Sequence, residues 1–301
     1  MSSTNPHAHR FTGSMVALVT PMHENGAIDY EALEQLIEWQ IEAGTDGLII
    51  AGTTGESATL DAKELYDLIK FCVGVSAKRI PIVGGSGSNA TLKTIELSKL
   101  VEHAGADACL VVSPYYNKPT QAGLVKHYWT VADSVNIPVI LYNVPGRTAC
   151  DMQIETTLRL AEHPNIVAIK EANASAARIN EITYQAKDQI TLLSGDDATC
   201  VDFMLKGGHG FISVTANVAP QQMKLIATAA LAGDAEKAKA LDAEIASLHR
   251  DLFVESNPSP AKWALETMGK IKSGIRLPLL ELSAEAQVIV KKSLEQAKIL
   301  D

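Results

Sequence analysis

Eight short β-rich runs, each followed by a stretch of helical length, recur between Met15 and about Ala232, and this alternation restricts the fold more than any other feature of the sequence. The runs are Met15–Thr20, Gly47–Ala51, Pro81–Gly84, Ala108–Val112, Pro138–Asn143, Val167–Lys170, Ile190–Ser194 and Gly210–Val214. None alternates strongly between polar and apolar residues, so they read as strands of a parallel sheet buried on both faces. Between them, Leu33, Leu36, Ile37 and Ile41, then Leu65, Leu68, Ile69 and Cys72, repeat at the three- and four-residue steps of amphipathic helices. Asp29 and Asp61 stand as N-caps, and Gly44 and Gly105 stand where helices must stop.

Closing eight βα units into a (β/α)8, or TIM, barrel removes both sheet edges, so the expected fold is an α/β barrel over residues 13–232. The alternative is an open doubly wound sheet. Its GxGxxG turn is absent after the first strand, and GGSGSN at Gly84–Asn89 only imitates it weakly. Residues 233–301 hold no strand candidate but show helical periodicity over Ala235–Leu252, Pro260–Met268 and Ala284–Leu300. They form a C-terminal helical extension, placed either on the barrel wall or in a contact between subunits.

With 26 Lys+Arg against 35 Asp+Glu the formal charge is −9, which opposes binding to nucleic acid or to anionic membrane surfaces. The runs CLVV and IPVIL stop far short of the ~18 apolar residues of a membrane span, and the first ten residues contain no apolar signal core. Cys72, Cys109, Cys150 and Cys200 lack ligand or redox spacing, as in a reducing cytoplasm. His7 and His9 suggest either a metal-binding tail or a plain solvated one, and residues 1–12 are left out of the fold argument. There is no HExxH, no paired ligand spacing and no GxSxG, so neither a metal nor a cofactor is expected. His209, ahead of the eighth strand, lies at the wrong barrel end for catalysis and reads as structural.

Active sites of such barrels form at the C-terminal strand ends, and those positions are polar here: AGTTGES, SPYYNKPT, LYNVPGRT, IKEA, SGDD and ISVTAN. Lys170 closes the apolar run Ile166–Ile169, which aims its amine into the barrel mouth. Desolvation there favours the neutral amine, a nucleophile toward carbonyls. The competing reading is an ion pair of Lys170 with Glu171 or Asp196. Tyr142 ends the adjacent strand and can move the protons that imine formation requires, with Thr53 and Thr54 as further hydroxyls. Singly, Tyr142 also fits as a core ring and Thr53 as a turn hydroxyl. Arg147 offers a planar fork for a carboxylate, or else a loop salt bridge. The Gly52–Gly55 loop, ahead of a helical stretch, offers a backbone nest for an anion. The carboxylate of a 2-oxo acid fits it better than phosphate, since the usual phosphate position of such barrels, after strands seven and eight, carries Asp196 and Asp197.

GTTGESATL, SPYYNKPTQAGL, LYNVPGRT, IKEA, LLSGDDA, GGHGFISVTANVAP and FVESNPSPAKWA, in this order, resemble the segments of the dihydrodipicolinate synthase family of pyruvate-dependent class I aldolases. The resemblance covers nearly the whole chain after residue 12. It implies that Lys170 condenses with pyruvate, that the enamine attacks L-aspartate 4-semialdehyde, and that the product cyclises on the route to diaminopimelate and lysine. By matching positions, it implies Tyr142 as proton relay and Thr53 as its hydrogen-bonding partner at pyruvate. Tyr116 would complete the relay from a neighbouring subunit, in dimers usually paired into tetramers. Thr54 with the backbone around Gly55 would hold the pyruvate carboxylate, Arg147 the semialdehyde carboxylate, and the Ile212 carbonyl would shape the site. N-acetylneuraminate lyase and the 2-keto-3-deoxy sugar acid aldolases are the alternative branches, and Thr53 and Arg147 favour the synthase.

Three departures qualify the resemblance. Ser57, Ala58, Asn89 and Tyr115 match the lysine-binding residues of feedback-inhibited members, but Ala62, Leu65 and Lys93 replace two His and a Glu. Lys93 exchanges attraction for repulsion toward an ammonium, so lysine inhibition is expected to be weak or absent. Asn173 replaces a Thr after the nucleophile, and GGSGSN displaces the hydroxyl of Ser86.

Overall fold

The computed structural model describes residues 10–300, so the question of a metal-binding tail at His7 and His9 lies outside the described residues. Strands and helices alternate as β1 (Gly13–Ala17), α1 (Tyr30–Glu42), β2 (Gly47–Ile50), α2 (Ala62–Ser76), β3 (Ile82–Gly85), α3 (Thr91–His103), β4 (Ala108–Val112) and α4 (Gln121–Ala132). They continue as β5 (Val139–Asn143), the single turn α5 (Pro145–Thr148), α6 (Ile154–Ala161), β6 (Ile166–Glu171), α7 (Ala176–Gln185), β7 (Thr191–Ser194), α8 (Cys200–Leu205), β8 (Gly210–Ser213) and α9 (Pro220–Leu231). The strands close in sequence order, all parallel, with β1 paired to both β2 and β8. The expected TIM barrel is the observed fold.

Strand ends differ from the periodicity by a few residues for identifiable reasons. Pro81 and Pro138 offer carbonyls to Leu48 and Cys109 but have no N–H to donate, so the ladders begin one residue later. After Ala17 the chain leaves the β1 ladder: Val19 N donates to the side chain of Asn217, and Thr20 Oγ1 to Gly55 O. Asp29 and Asp61 cap α1 and α2 as expected, and Asp61 completes a capping box with Glu64. Gly44 and Gly105, at φ +83° and +93°, take the left-handed conformation that ends a helix.

Two apolar layers follow from the two-residue period of the strands. Inside the barrel, Met15, Ile49, Leu110, Ile140, Val167 and Ile212 pack together, with Tyr142 above them. Outward residues such as Val139, Leu141 and Ile169 pack under the helices. His209 binds β7 to β8 at the opposite end, its Nδ1 accepting from Leu192 N at 3.0 Å, in keeping with a structural role. The C-terminal segment folds into α10 (Ala235–Asp251), α11 (Ser259–Thr267) and α12 (Ala284–Gln296). Helix α10 lies on α9, α12 packs on α10 and α11, and α11 approaches the turn at Thr215–Asn217.

Candidate active site

The register of β5 and β6 sets Tyr142 opposite Lys170 and Asn143 opposite Glu171. Because side chains alternate along a strand, Tyr142 and Lys170 enter the barrel while Asn143 and Glu171 face the helices. Lys170 is buried, and its Nζ lies 4.5 Å from the Tyr142 ring centroid. Neither expected ion pair forms. Glu171 is taken by Arg178 at 2.9 Å, and Asp196 accepts from Thr199 Oγ1 at 2.7 Å, so among the described residues Lys170 has no carboxylate partner. Space for the amine comes partly from Gly195, where a Cβ would stand 3.0 Å from Lys170 Cε.

Above β2 the chain turns sharply, with Ala51 and Glu56 both left-handed at φ +53° and +58°. Gly55 is packed against the strand it leaves: a Cβ there would meet Ala51 N at 3.0 Å and Leu18 O at 3.1 Å. Thr54 is buried, and its Oγ1 accepts from Asn257 Nδ2 at 2.9 Å, which leaves its own proton free to donate. Glu56 is buried beside Lys262 of α11, which donates to Oε1, while Arg276 N donates to Oε2 at 3.1 Å. Burial lowers the Lys262 pKa, against the opposing pull of the Glu56 carboxylate. Among the described residues, the N–H groups of Thr53 and Thr54 donate to no protein acceptor, which fits the proposed nest.

A cavity of about 720 Å³ opens over this arrangement, with Thr53, Tyr142, Arg147 and Asn257 in its wall. Arg147 is exposed on α5 and makes no ion pair among the described residues, so the alternative loop salt bridge is not formed. Ile212 lies 1% exposed in the barrel interior with Tyr142. The structure thus groups Thr53, Thr54, Gly55, Tyr142, Arg147, Lys170 and Ile212 around one barrel end. Tyr116 stands apart: it is 87% exposed, at φ +75°, outside the cavity wall. Tyr115, Ser57, Ala58, Ala62, Leu65 and Lys93 line the same cavity.

Two departures from the family pattern acquire a physical account. Asn173 ties the loop after β6 to its surroundings, its Nδ2 donating to Asp151 Oδ2 at 3.1 Å and its Oδ1 accepting from Ser175 N at 3.3 Å. Ser86 Oγ turns to α3 and accepts from Ser98 Oγ at 2.9 Å. Sequence reasoning assigned no role to Asn257, Lys262 or Arg276, whose partners lie about two hundred residues away. Among the described residues no cluster of three or more His, Cys, Asp or Glu is placed to hold a metal. The four cysteines are unpaired and buried, and burial pushes the Cys109 thiol up to about 12.

The chain matches the family model described as the dihydrodipicolinate synthetase family over residues 10–297. A 4-hydroxy-tetrahydrodipicolinate synthase of Alcanivorax borkumensis is 52% identical over 289 residues, 96% of this chain and 98% of its own. The enzyme of that name from Laribacter hongkongensis is 50% identical over 289 residues, 96% of this chain and 99% of its own. The crystal structure of the chloride-inhibited dihydrodipicolinate synthase from Acinetobacter baumannii, complexed with pyruvate, is 48% identical and superposes with a TM-score of 0.95 over 96% of this chain and 99% of that one. Barrel, strand-end residues and full-length similarity agree, and this chain belongs to the dihydrodipicolinate synthetase family.

Proposed function

We propose that the chain is a 4-hydroxy-tetrahydrodipicolinate synthase, a carbon–carbon bond-forming lyase whose nucleophile is Lys170. The observation that carries this reading is the Lys170 amine held on the face of Tyr142, without a carboxylate partner among the described residues, beneath a cavity whose wall presents the unpaired Arg147. Lys170 Nζ adds to C2 of pyruvate, and the carbinolamine expels one water to leave an imine. Loss of a C3 proton gives the enamine, whose C3 attacks the aldehyde carbon of L-aspartate 4-semialdehyde, and the new alkoxide takes up a proton. The amine of the bound semialdehyde then adds to C2 and displaces Lys170, closing the ring. Tyr142 moves the protons of these steps with Thr53. The nest at Thr54 and Gly55 receives the pyruvate carboxylate, Arg147 receives that of the semialdehyde, and the Ile212 carbonyl borders the site.

Tyr116 reaches the site of a neighbouring subunit, in a homotetramer built as a dimer of dimers. Its near-complete exposure and left-handed backbone, next to a half-exposed Tyr115, support this reading. No helix among the described residues is long and apolar enough to cross a membrane. The similarity to bacterial biosynthetic enzymes supports the cytoplasm as the site of the proposed reaction.

Borohydride reduction in the presence of pyruvate, followed by peptide mapping, tests the reading. A pyruvyl adduct on Lys170 with turnover of aspartate semialdehyde is the expected result. An adduct with turnover of N-acetylmannosamine alone moves the chain to the lyase branch, and no adduct rejects the imine chemistry.

A further inference from the structure

Behind the two catalytic strands, on the face turned away from the cavity, lies a buried polar cluster centred on Glu171. Its carboxylate accepts from Asn143 Nδ2 at 2.9 and 3.1 Å, from Arg178 Nε at 3.0 Å and from Asn173 N at 2.7 Å. Asn143 is itself held at both ends, with Oδ1 accepting from Met152 N at 3.0 Å and Nδ2 donating to Asp151 Oδ1 at 2.8 Å. Arg178 continues to Met152 O at 2.8 Å. Burial pushes the Glu171 carboxyl up, and the Arg178 charge with the hydrogen bonds of Asn173, Arg178 and Asn143 pulls it back.

A buried ion pair is a poor source of stability, because desolvating both charges offsets much of their attraction. Apolar side chains fill this same outward layer at Leu141 and Ile169, two residues earlier on each strand, so packing alone does not call for Glu171. Directional hydrogen bonds do what apolar packing does not: they admit one register and one spacing. The pair they fix, Asn143 and Glu171, is the next rung after Tyr142 and Lys170.

We infer that Glu171, held by Arg178 and Asn143, is a positioning residue that sets the Tyr142 phenol against the Lys170 amine. The inference rests on the proposed roles of Lys170 and Tyr142. Glu171 touches no reacting atom and acts through the strand that carries Lys170. Misplacing a reacting group by about an ångström is enough to cost up to ~10²-fold in rate.

The experiment is a double-mutant cycle on kcat, with each variant normalised to the amount of pyruvyl-Lys170 trapped by borohydride, so that loss of folded enzyme drops out. Glu171→Gln is expected to lower kcat per trapped site by ~10- to 100-fold. In the Tyr142→Phe background it should lose most of that effect, because the pair it aligns is already broken. Unchanged kcat per trapped site, or full multiplicativity with Tyr142→Phe, overturns the inference. Should Glu171→Gln fail to fold, Asn143→Ala runs the same cycle with the Glu171–Arg178 pair intact, and failure of both variants to fold assigns the cluster to stability alone and also overturns it. Absence of the adduct in the unmodified enzyme rejects the nucleophile assignment instead, which separates the two failures.

Discussion

Lys170 and Tyr142 are opposite residues of neighbouring parallel strands, and the amine nitrogen lies 4.5 Å from the centroid of the phenol ring. Tyr142→Phe keeps that ring face and removes only the hydroxyl. Turnover should therefore fall by the ~10²–10⁴-fold of a lost acid–base group, while the borohydride-trapped pyruvyl adduct persists. Turnover at the parent rate would reject the relay role.

Arg147 has no carboxylate partner among the described residues and lines the cavity wall. Arg147→Ala should raise KM for the semialdehyde by about 10- to 100-fold, the size of a lost charge-assisted hydrogen bond, and leave the rate of pyruvate adduct formation unchanged. Steady-state kinetics with each substrate varied in turn separates the two effects.

Lys262 and Glu56 are both buried, so removing one partner strands a charge. Lys262→Met is expected to cost about 3–5 kcal/mol in denaturant unfolding. Adding Glu56→Gln should return part of that loss. A cost within experimental error of zero would mean that the pair is solvated in solution.

Burial lowers His127 to about 4, and its Nδ1 is paired with Thr91 Oγ1 at 3.0 Å. With the folded pKa below the unfolded ~6.5, the folded state binds fewer protons between these values. The contribution is fully present above pH ~6.5, declines as pH falls toward 4, and amounts to roughly 3 kcal/mol over that span. His127→Gln should flatten this stretch of the stability curve, and an unchanged slope between pH 6.5 and 4 would contradict the assignment.

Lys93, Ala62 and Leu65 line the cavity together with Ser57, Ala58 and Tyr115. An added ammonium meets a like charge there, so sub-millimolar lysine should leave the initial rate unchanged. Inhibition in that range would show that the ligand binds without the missing acidic group.

The barrel was legible because its signals are local: each strand and helix carries its own period, caps and stops. Lys170 and Tyr142 stand one residue before the ends of β6 and β5, and Thr53 and Arg147 in the segments that follow β2 and β5. Their place at one barrel end was therefore legible in the strand pattern, since the barrel fixes which end matters. Pro81 and Pro138 misled by one residue because apolar period does not register a missing N–H. Asn257, Lys262 and Arg276 carry no spacing signal toward Thr54 and Glu56, since nothing in the sequence links groups two hundred residues apart. The Glu171 cluster is hidden differently: in sequence Glu171 reads as a partner for Lys170, its chain neighbour, but strand alternation points the two side chains to opposite faces.

Thr54 and Glu56 receive their partners from Asn257, Lys262 and Arg276, 203 to 220 residues further along. During synthesis the loop over β2 leaves the ribosome long before these residues exist. A nascent chain with all eight strands made still has Glu56 without its cation and Thr54 without its amide. The loop over β2 therefore completes its hydrogen bonds only once the segment from Asn257 to Arg276 has been made and has packed against it.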